Sequence, residues 1–172
     1  RQKNLEIAVQ KAASILTSGG TALEAAVEAC VILEDDPVFN AGTGSVIRTD
    51  GSVLTDASIQ VGDGRVGFVI AMEDTPNPIR VAADLLDEEI NGLTSDGARL
   101  WADQRSHLNA KVEGRSPEGQ IGDENAEITG DTIGVIARDN TGMIVVATST
   151  GGCSYRPPGR VGDVPLPGSG FW

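Results

Sequence analysis

A single threonine, Thr132, stands between a long polar stretch and a strand-like pattern, within the segment TGDTIGVIARD at residues 129–139. One interpretation is structural, because a β-branched threonine commonly opens a strand. The other is chemical: the chain is cut between Asp131 and Thr132, and the new amino terminus then carries out catalysis. The choice between them depends on which other reactive residues the chain contains.

The composition restricts the catalytic residues that this chain can use. His107 is the only histidine, and Cys30 and Cys153 lie far apart in the sequence. Zinc sites, Ser-His-Asp triads and Cys-His pairs therefore lack their usual residues. A threonine hydroxyl needs an adjacent base, and a freed α-amino group, which titrates at about pH 7.7 to 8, supplies one. A processed Thr132 would thus provide both the nucleophile and the base.

Four short motifs accompany the Asp131-Thr132 junction. They are FNAG at residues 39–42, DASI at 56–59, TSTGG at 148–152 and PGRVGD at 158–163. Together with the junction they resemble the plant-type asparaginases, a family that includes the isoaspartyl peptidases and has the glycosylasparaginases as relatives. The resemblance extends from Thr21 to Gly170 and implies an autocleaving hydrolase with an N-terminal threonine nucleophile.

The resemblance implies catalytic roles for three residues. Thr132 is expected to be the nucleophile, exposed by cleavage of the Asp131–Thr132 bond, and Thr150 is expected to orient it. Asn40 matches a family residue near the cleavage site and the oxyanion region. For Asn40 a purely structural role remains open, since its side chain would also satisfy a glycine-flanked loop.

The resemblance also implies a substrate clamp formed by Arg160 and Asp163, which hold the α-carboxylate and the α-amino group of an aspartyl unit. An arginine fork matches a carboxylate through two hydrogen bonds, and an aspartate accepts from an ammonium group. Gly151 and Gly152 are expected to keep the backbone close to the ligand. The structural alternatives are a surface salt bridge for the charged pair and an ordinary turn for the glycines.

The loop from residue 33 to residue 43 resembles the sodium-binding loop of the family, in which backbone carbonyl oxygens hold a structural cation. Hard cations prefer such oxygen ligands. No cofactor is expected for catalysis. The candidate sodium ligands are Leu33, Glu34, Asp36, Phe39, Ala41 and Thr43.

Three features depart from the family pattern. Family members often carry His-Gly or Gly before the nucleophile, whereas Gly130-Asp131 gives the Asp-Thr junction typical of glycosylasparaginases. Phe171-Trp172 replaces a segment that commonly reads Cys-Tyr. The family's opening strand with H-G-G-A-G and its later T-G-x-G-E segment do not occur in the sequence. The chain is therefore expected to be incomplete at both ends.

The sequence around these motifs predicts the elements that position them. Apolar residues at helical spacing cover residues 4–17, and a capping box from Thr21 to Glu24 starts a second helix with an alanine-rich stripe. The polar residues 108–131 are predicted to form a flexible linker, and the glycine- and proline-rich residues 149–172 a site-forming loop. Further predicted elements are helices from Asn77-Pro78 and over 95–104, and strands over 45–48, 53–61, 66–72, 132–138 and 143–148.

The predicted organisation is a single α+β domain over residues 1–172, with 1–131 as the α-subunit part and 132–172 as the start of a β subunit. The resemblance implies a four-layer αββα sandwich with Thr132 at the end of a central strand. The net charge of −12 argues against nucleic acid, and no run of about 18 apolar residues predicts a membrane span. The distant cysteines favour a reducing cytoplasm. Solubility explains the acidity, with a high-salt environment as the alternative.

The expected function is that of an autocleaving threonine amidohydrolase, which hydrolyses L-asparagine, β-aspartyl (isoaspartyl) peptides or both and releases L-aspartate. The expected partner is a small molecule or a dipeptide, and the expected assembly is a homodimer of cleaved α/β units. A first alternative is an N4-glycosylasparaginase. A second alternative is a catalytically silent relative or a binding domain that never cleaves.

Overall fold

The structure, a computed structural model, describes residues 1–116, 131–153, 156–157 and 159–171. Within these ranges it contains a five-stranded sheet with helices packed against it, so the predicted α+β class is confirmed. The helices are α1 (Gln2–Thr17), α2 (Ala22–Glu34), α3 (Pro78–Asp84) and α4 (Ser95–Gln104). The strands are β1 (Thr55–Val61), β2 (Val66–Met72), β3 (Gly92–Thr94), β4 (Ile133–Arg138) and β5 (Ile144–Thr150), and short 3-10 turns cover Gly42–Gly44 and Leu85–Asp87.

The order of the strands brings the start of β4 beside the end of β5. The sheet runs β3-β2-β1-β5-β4, with β2 and β3 parallel and the other neighbours antiparallel. In this register Ile133 lies opposite Ser149, and Asp56 of β1 lies opposite Thr150. Thr132, which immediately precedes β4, therefore lies beside the end of β5.

The second helix packs closely on the sheet. Its start follows the prediction, because Thr21 Oγ1 accepts from the Glu24 N–H (3.1 Å) and Glu24 Oε2 accepts from the Thr21 N–H (2.8 Å). Helix α2 contacts α1, β4 and β5, while α3 lies on β1 and β2. The small residues of its stripe allow this close approach, and those that are buried include Ala22, Ala25, Ala26, Ala29 and Cys30. In the described ranges, every helix falls short of the length and apolar character that a membrane crossing requires.

The sheet has one covered face and one open face. Ala57 and Ile59 of β1 are fully buried with the helices. On the opposite face the Ser58 hydroxyl donates to the Val164 carbonyl (2.6 Å), so the segment after β5 covers one end. Ile136 of β4 is 76% exposed on this face. A second sheet, which the four-layer prediction requires, is not contained in the described ranges, and there β4 is an edge strand rather than a central one.

The segment before β1 differs from the prediction of strands over 45–48 and 53–61. Val46 makes an isolated bridge with Arg115, and β1 begins only at Thr55. Residues 45–48 form no strand because Val46 pairs with Arg115 through a single bridge, and the residues described around Arg115 are irregular.

The first part of the predicted flexible linker over residues 108–131 makes contacts with the rest of the chain. The Arg115 N–H donates to the Ser45 carbonyl (2.9 Å), Arg115 Nε donates to the Gly44 carbonyl (3.0 Å), and Val112 is buried. The Ala110 N–H donates to the Asp74 carbonyl (3.0 Å), so Ala110 and Arg115 are bonded to the loops that follow β2 and α2. Residues 117–130, the rest of the predicted linker, lie outside the described residues.

Candidate active site

The carbonyl group of the predicted cleavage site is held by two side chains. Thr150 Oγ1 donates to the Asp131 carbonyl oxygen (3.0 Å), and Asn40 Nδ2 donates to the same oxygen (3.2 Å). Thr132 itself is exposed just before β4. The peptide bond that joins Asp131 to Thr132 therefore has its carbonyl oxygen in the geometry of an oxyanion hole, with donors aimed at the atom that would become negative during attack.

The orientation of the Thr150 hydroxyl follows from its hydrogen bonds. Thr150 ends β5 and is 3% exposed, and its oxygen accepts from the Gly152 N–H (3.0 Å). A hydroxyl has one proton to donate. That proton points to Asp131, so the Gly152 peptide fixes the direction of the donor.

The Asn40 side chain joins three segments of the chain. Asn40 is 1% exposed, and its Oδ1 accepts from the Val46 N–H (3.0 Å). Its Nδ2 donates to the carbonyls of Gly152 and Asp131, and its own carbonyl accepts from the Gly151 N–H (2.8 Å). The amide thus uses both protons and its oxygen. The same side chain therefore satisfies the loop at Val46 and contacts the Asp131 carbonyl.

The two glycines after Thr150 are required by packing within the protein. A Cβ atom on Gly151 would meet Asn40 and Ser45, and one on Gly152, whose φ is +85°, would collide with the Arg156 guanidinium. An ordinary turn would not impose these close contacts. The approach of a ligand to this backbone stays a prediction.

The predicted clamp residues differ from this buried group in their exposure. Arg160 and Asp163 are both exposed, and within the described part of the chain neither side chain forms an ion pair or a hydrogen bond. The alternative of a salt bridge between them is therefore not seen. The positive charge of Arg160 favours a lower pKa for Asp56, which lies opposite Thr150 in the sheet.

Three buried charged residues near the junction were not predicted as site residues. Arg48, Asp56 and Arg156 are 5%, 3% and 3% exposed. Burial raises the pKa of Asp56, while the N–H of Ala71 and the positive charges of Arg156, Arg160 and Arg48 oppose the rise. Burial also lowers the pKa of Arg156. The DASI motif contains Asp56, but the neighbours that give it a role become visible only in the folded chain.

The Asp131 carboxylate is in contact with the start of α1. Arg1 Nη2 lies 3.2 Å from Asp131 Oδ2, and the two side chains are 58% and 34% exposed. An ion pair with this much solvent access contributes little to stability. It leaves the carbonyl of Asp131, rather than its carboxylate, as the firmly held group.

The loop predicted to bind sodium contains backbone carbonyl oxygens, the type of ligand that hard cations prefer. The carbonyls of Glu34, Asp36 and Ala41 accept hydrogen bonds from Thr43 Oγ1 (2.7 Å), the Phe39 N–H (3.2 Å) and the Gly44 N–H (3.1 Å). A carbonyl oxygen has a second lone pair, so these hydrogen bonds leave each oxygen able to bind a hard cation, and a sodium ion in this loop stays a prediction. No cluster of three or more His, Cys, Asp or Glu side chains that would hold a metal occurs within the described ranges.

The side-chain carboxyl group of Glu34, unlike its backbone carbonyl, is not one of the predicted sodium ligands. It is fully buried and accepts from the Ile79 N–H (3.1 Å) and more distantly from Asn77 Nδ2 (3.4 Å). Burial raises its pKa to about 8. Glu34 thus ties the end of α2 to the start of α3, and its raised pKa favours the neutral acid.

Comparison with known proteins shows the family to which this chain is related. The sequence model described as asparaginase matches residues 1–107 and 91–172. The chain is 35% identical to the plant-type L-asparaginase of Pyrobaculum calidifontis, over 99% of this chain and 62% of that protein. It is 38% and 37% identical to the isoaspartyl peptidase/L-asparaginases of Bos taurus and Homo sapiens, over 91% of this chain and 56% and 55% of those proteins. The chain thus spans less than two thirds of the length of these relatives. It belongs to the asparaginase family.

Proposed function

We propose that the protein is an autocleaving threonine amidohydrolase. The observation that carries the proposal is the pair of hydrogen bonds from Thr150 and Asn40 to the Asp131 carbonyl oxygen. Neutral donors in a buried setting stabilise a developing oxyanion strongly, because they are already oriented. An ordinary strand start would not require two buried side chains to converge on one carbonyl.

Self-cleavage proceeds in two steps in this proposal. The Thr132 hydroxyl attacks the Asp131 carbonyl carbon, the bond to the Thr132 nitrogen breaks, and the hydroxyl proton passes to that nitrogen. The product is an ester between Asp131 and Thr132 Oγ1. Water then hydrolyses the ester, which leaves a carboxylate on Asp131 and a free amino group and hydroxyl on Thr132.

The mature nucleophile then acts on the side-chain carbonyl of an aspartyl unit. The Thr132 amino group takes the hydroxyl proton, since its pKa near about 7.7 to 8 suits a base at neutral pH. A β-aspartyl ester forms and ammonia or an amino acid leaves, after which water releases L-aspartate. Arg160 and Asp163 bind the α-carboxylate and α-amino group, which excludes ordinary α-peptides.

The names of the relatives support asparagine and isoaspartyl peptides as the substrates. One relative is named plant-type L-asparaginase, and two are named isoaspartyl peptidase/L-asparaginase. The second candidate is N4-glycosylasparagine, which the Asp131-Thr132 junction favours. The third, a silent relative that never cleaves, has no support from the donor geometry.

The remaining parts of the proposal concern the whole protein. We place a second sheet on the open face around Ile136, which completes the four-layer αββα sandwich, and we propose a homodimer of cleaved α/β units. A sodium ion held by the carbonyl oxygens of Glu34, Asp36 and Ala41, with those of Leu33, Phe39 and Thr43, would steady the Asn40 loop. The free cysteines Cys30 and Cys153 suit a reducing cytoplasm.

Side-by-side assays on the full-length protein test this function. Ammonia release from L-asparagine, cleavage of a β-aspartyl dipeptide and release of sugar from N4-glycosylasparagine are measured, with the matching α-aspartyl dipeptide as the control. We expect hydrolysis of the first two substrates and none of the α-peptide. Cleavage of the α-peptide, or inactivity of a fully folded wild-type protein toward all three substrates, would refute the proposal.

A further inference from the structure

We propose that Arg156 is a positioning residue, which braces the Gly152 peptide and through it holds both donors on the Asp131 carbonyl. The inference rests on the proposed function and extends it to a residue outside the reacting groups. Its basis is a chain of contacts that runs from a buried guanidinium to the scissile bond.

The first link joins Arg156 to the segment before β1. Arg156 is 3% exposed, and its Nη2 donates to the Leu54 carbonyl (2.6 Å). Its own carbonyl accepts from Thr49 Oγ1 (3.3 Å). Both partners lie in the segment that leads into β1, so that segment holds the guanidinium through Leu54 and the main chain of Arg156 through Thr49.

The second link joins Arg156 to Gly152. The three atoms nearest to the Cβ position of Gly152 all belong to the Arg156 side chain, and the closest of them is Nη1. The guanidinium therefore occupies the space in which a side chain would lie. It blocks displacement of the Gly152 backbone in that direction.

The third link joins Gly152 to the cleavage site. The Gly152 N–H donates to Thr150 Oγ1 (3.0 Å), and the Gly152 carbonyl accepts from Asn40 Nδ2. Thr150 and Asn40 are the two donors to the Asp131 carbonyl. A shift of one peptide unit would thus misdirect both donors together.

Asp56 is a buried carboxylate whose negative charge acts on this guanidinium. Asp56 is 3% exposed and its Oδ1 accepts from the Ala71 N–H (2.8 Å). Its carboxylate lies among the positive charges of Arg156, Arg160 and Arg48. A buried cation is costly without a counter-charge, so removal of Asp56 should loosen Arg156 as well.

Arg48 provides a matched control for Arg156. It is also a buried arginine of this cluster, at 5% exposure, and its Nη2 donates to the Pro157 carbonyl (3.1 Å). It is absent from the atoms nearest to the Cβ position of Gly152. Arg48→Lys and Arg156→Lys both keep a positive charge and lose the planar fork, so they differ chiefly in contact with Gly152.

The first measurement does not depend on cleavage. Hydrogen exchange of the Gly152 amide is followed by NMR in full-length Thr132→Ala protein, in which the junction stays intact. We expect Arg156→Lys to accelerate this exchange several-fold, Asp56→Asn to do so more weakly, and Arg48→Lys to leave it unchanged. Unchanged exchange in Arg156→Lys, or equal acceleration by Arg48→Lys, would overturn the inference.

The second measurement follows self-cleavage in the Thr132-containing full-length protein. Arg156→Lys should slow the appearance of the new chain about a hundredfold, as expected for an approximately 1 Å misplacement of groups at the reacting centre. It should lower kcat of the mature enzyme with little change in KM, because the clamp is untouched. A wild-type rate of cutting in Arg156→Lys would overturn the inference. If the wild type itself fails to cut while the variants show the expected Gly152 exchange, the proposed function is refuted, and the contact of Arg156 with Gly152 still holds.

Discussion

The cleavage junction and the predicted clamp are built in opposite ways. At the junction, Asn40 and Thr150 are 1% and 3% exposed and converge on one carbonyl oxygen. At the clamp, Arg160 and Asp163 are exposed and lack side-chain partners within the described part of the chain. The first region is organised by contacts within the chain, whereas the second shows no such side-chain contacts among the described residues.

This difference has a physical basis. Self-cleavage acts on a bond of the same chain, so its stabilising donors can be fixed during folding at no further cost in entropy. A clamp for free carboxylate and ammonium groups needs unpaired partners at the surface. Substitutions in the two regions should therefore affect different reactions.

The largest effect is expected from the donor at the junction. Thr150→Val keeps the shape of the side chain and removes the hydroxyl that donates to Asp131, so self-cleavage should slow by about a hundredfold to a thousandfold. The measurement is the time course of fragment formation by intact mass. Thr148→Val is the control, because Thr148 is buried on the same strand and bonds Ser58 (2.6 Å) instead. Equal slowing in both variants would contradict a specific donor role.

The next effect separates the clamp from the junction. Arg160→Ala should lower kcat/KM for a β-aspartyl dipeptide about thirtyfold or more, since the substrate carboxylate loses its charged partner. Self-cleavage should proceed at the wild-type rate. Steady-state kinetics on cleaved protein checks the first point and fragment formation the second. A wild-type kcat/KM would remove Arg160 from the clamp.

Much of the fold could be predicted because it depends on local sequence. Three predictions match the structure: the strand over 66–72, the helix over 95–104 and the capping box at Thr21. Each depends on the periodicity of nearby side chains or on a four-residue motif. Strand β3 was missed: it has three residues and exists only through pairing with β2. The bridge from Val46 to Arg115 was missed for the same reason.

The site shows the same limit at the level of single residues. Motif resemblance named Asn40 and Thr150, and the folded chain brings both to Asp131. It gave no role to Arg156, because that role depends on the turn at Gly152 and on the carbonyl of Leu54, which is distant in sequence. Contacts of this kind carry no local pattern.

A third prediction concerns the support behind the Asn40 loop. Glu34 has a pKa of about 8 in the folded state, against its ordinary value of 4.5, because of burial. Unfolding therefore releases a proton between these pH values, and stability should fall with rising pH by up to about 1.4 kcal/mol per pH unit from this group. Glu34→Gln should flatten the pH dependence of the free energy of unfolding, measured by urea titrations at about pH 5.5 to 7.5, a range between the two pKa values. The control Glu6→Gln, at an exposed position, should leave that dependence unchanged. An unchanged slope in Glu34→Gln would show that Glu34 is ionised.

The smallest effect uses salt to distinguish exposed charges from buried donors. Between 0.1 M and 1 M KCl the Debye length falls from about 10 Å to about 3 Å. KM for a β-aspartyl dipeptide should rise over this range, because Arg160 is exposed, while the rate of self-cleavage should stay constant. Parallel changes in both quantities would indicate that the junction is as open to solvent as the clamp.

The most direct test of the account is the intact mass of purified, folded full-length protein. We expect two chains, of which the second begins at Thr132, and a single uncut chain for Thr132→Ala. Thr132→Ser should retain partial cutting, because it keeps the hydroxyl. A folded wild-type protein that remains one chain, or a cut at any other bond, would contradict the assignment of the Asp131–Thr132 bond as the site of self-cleavage.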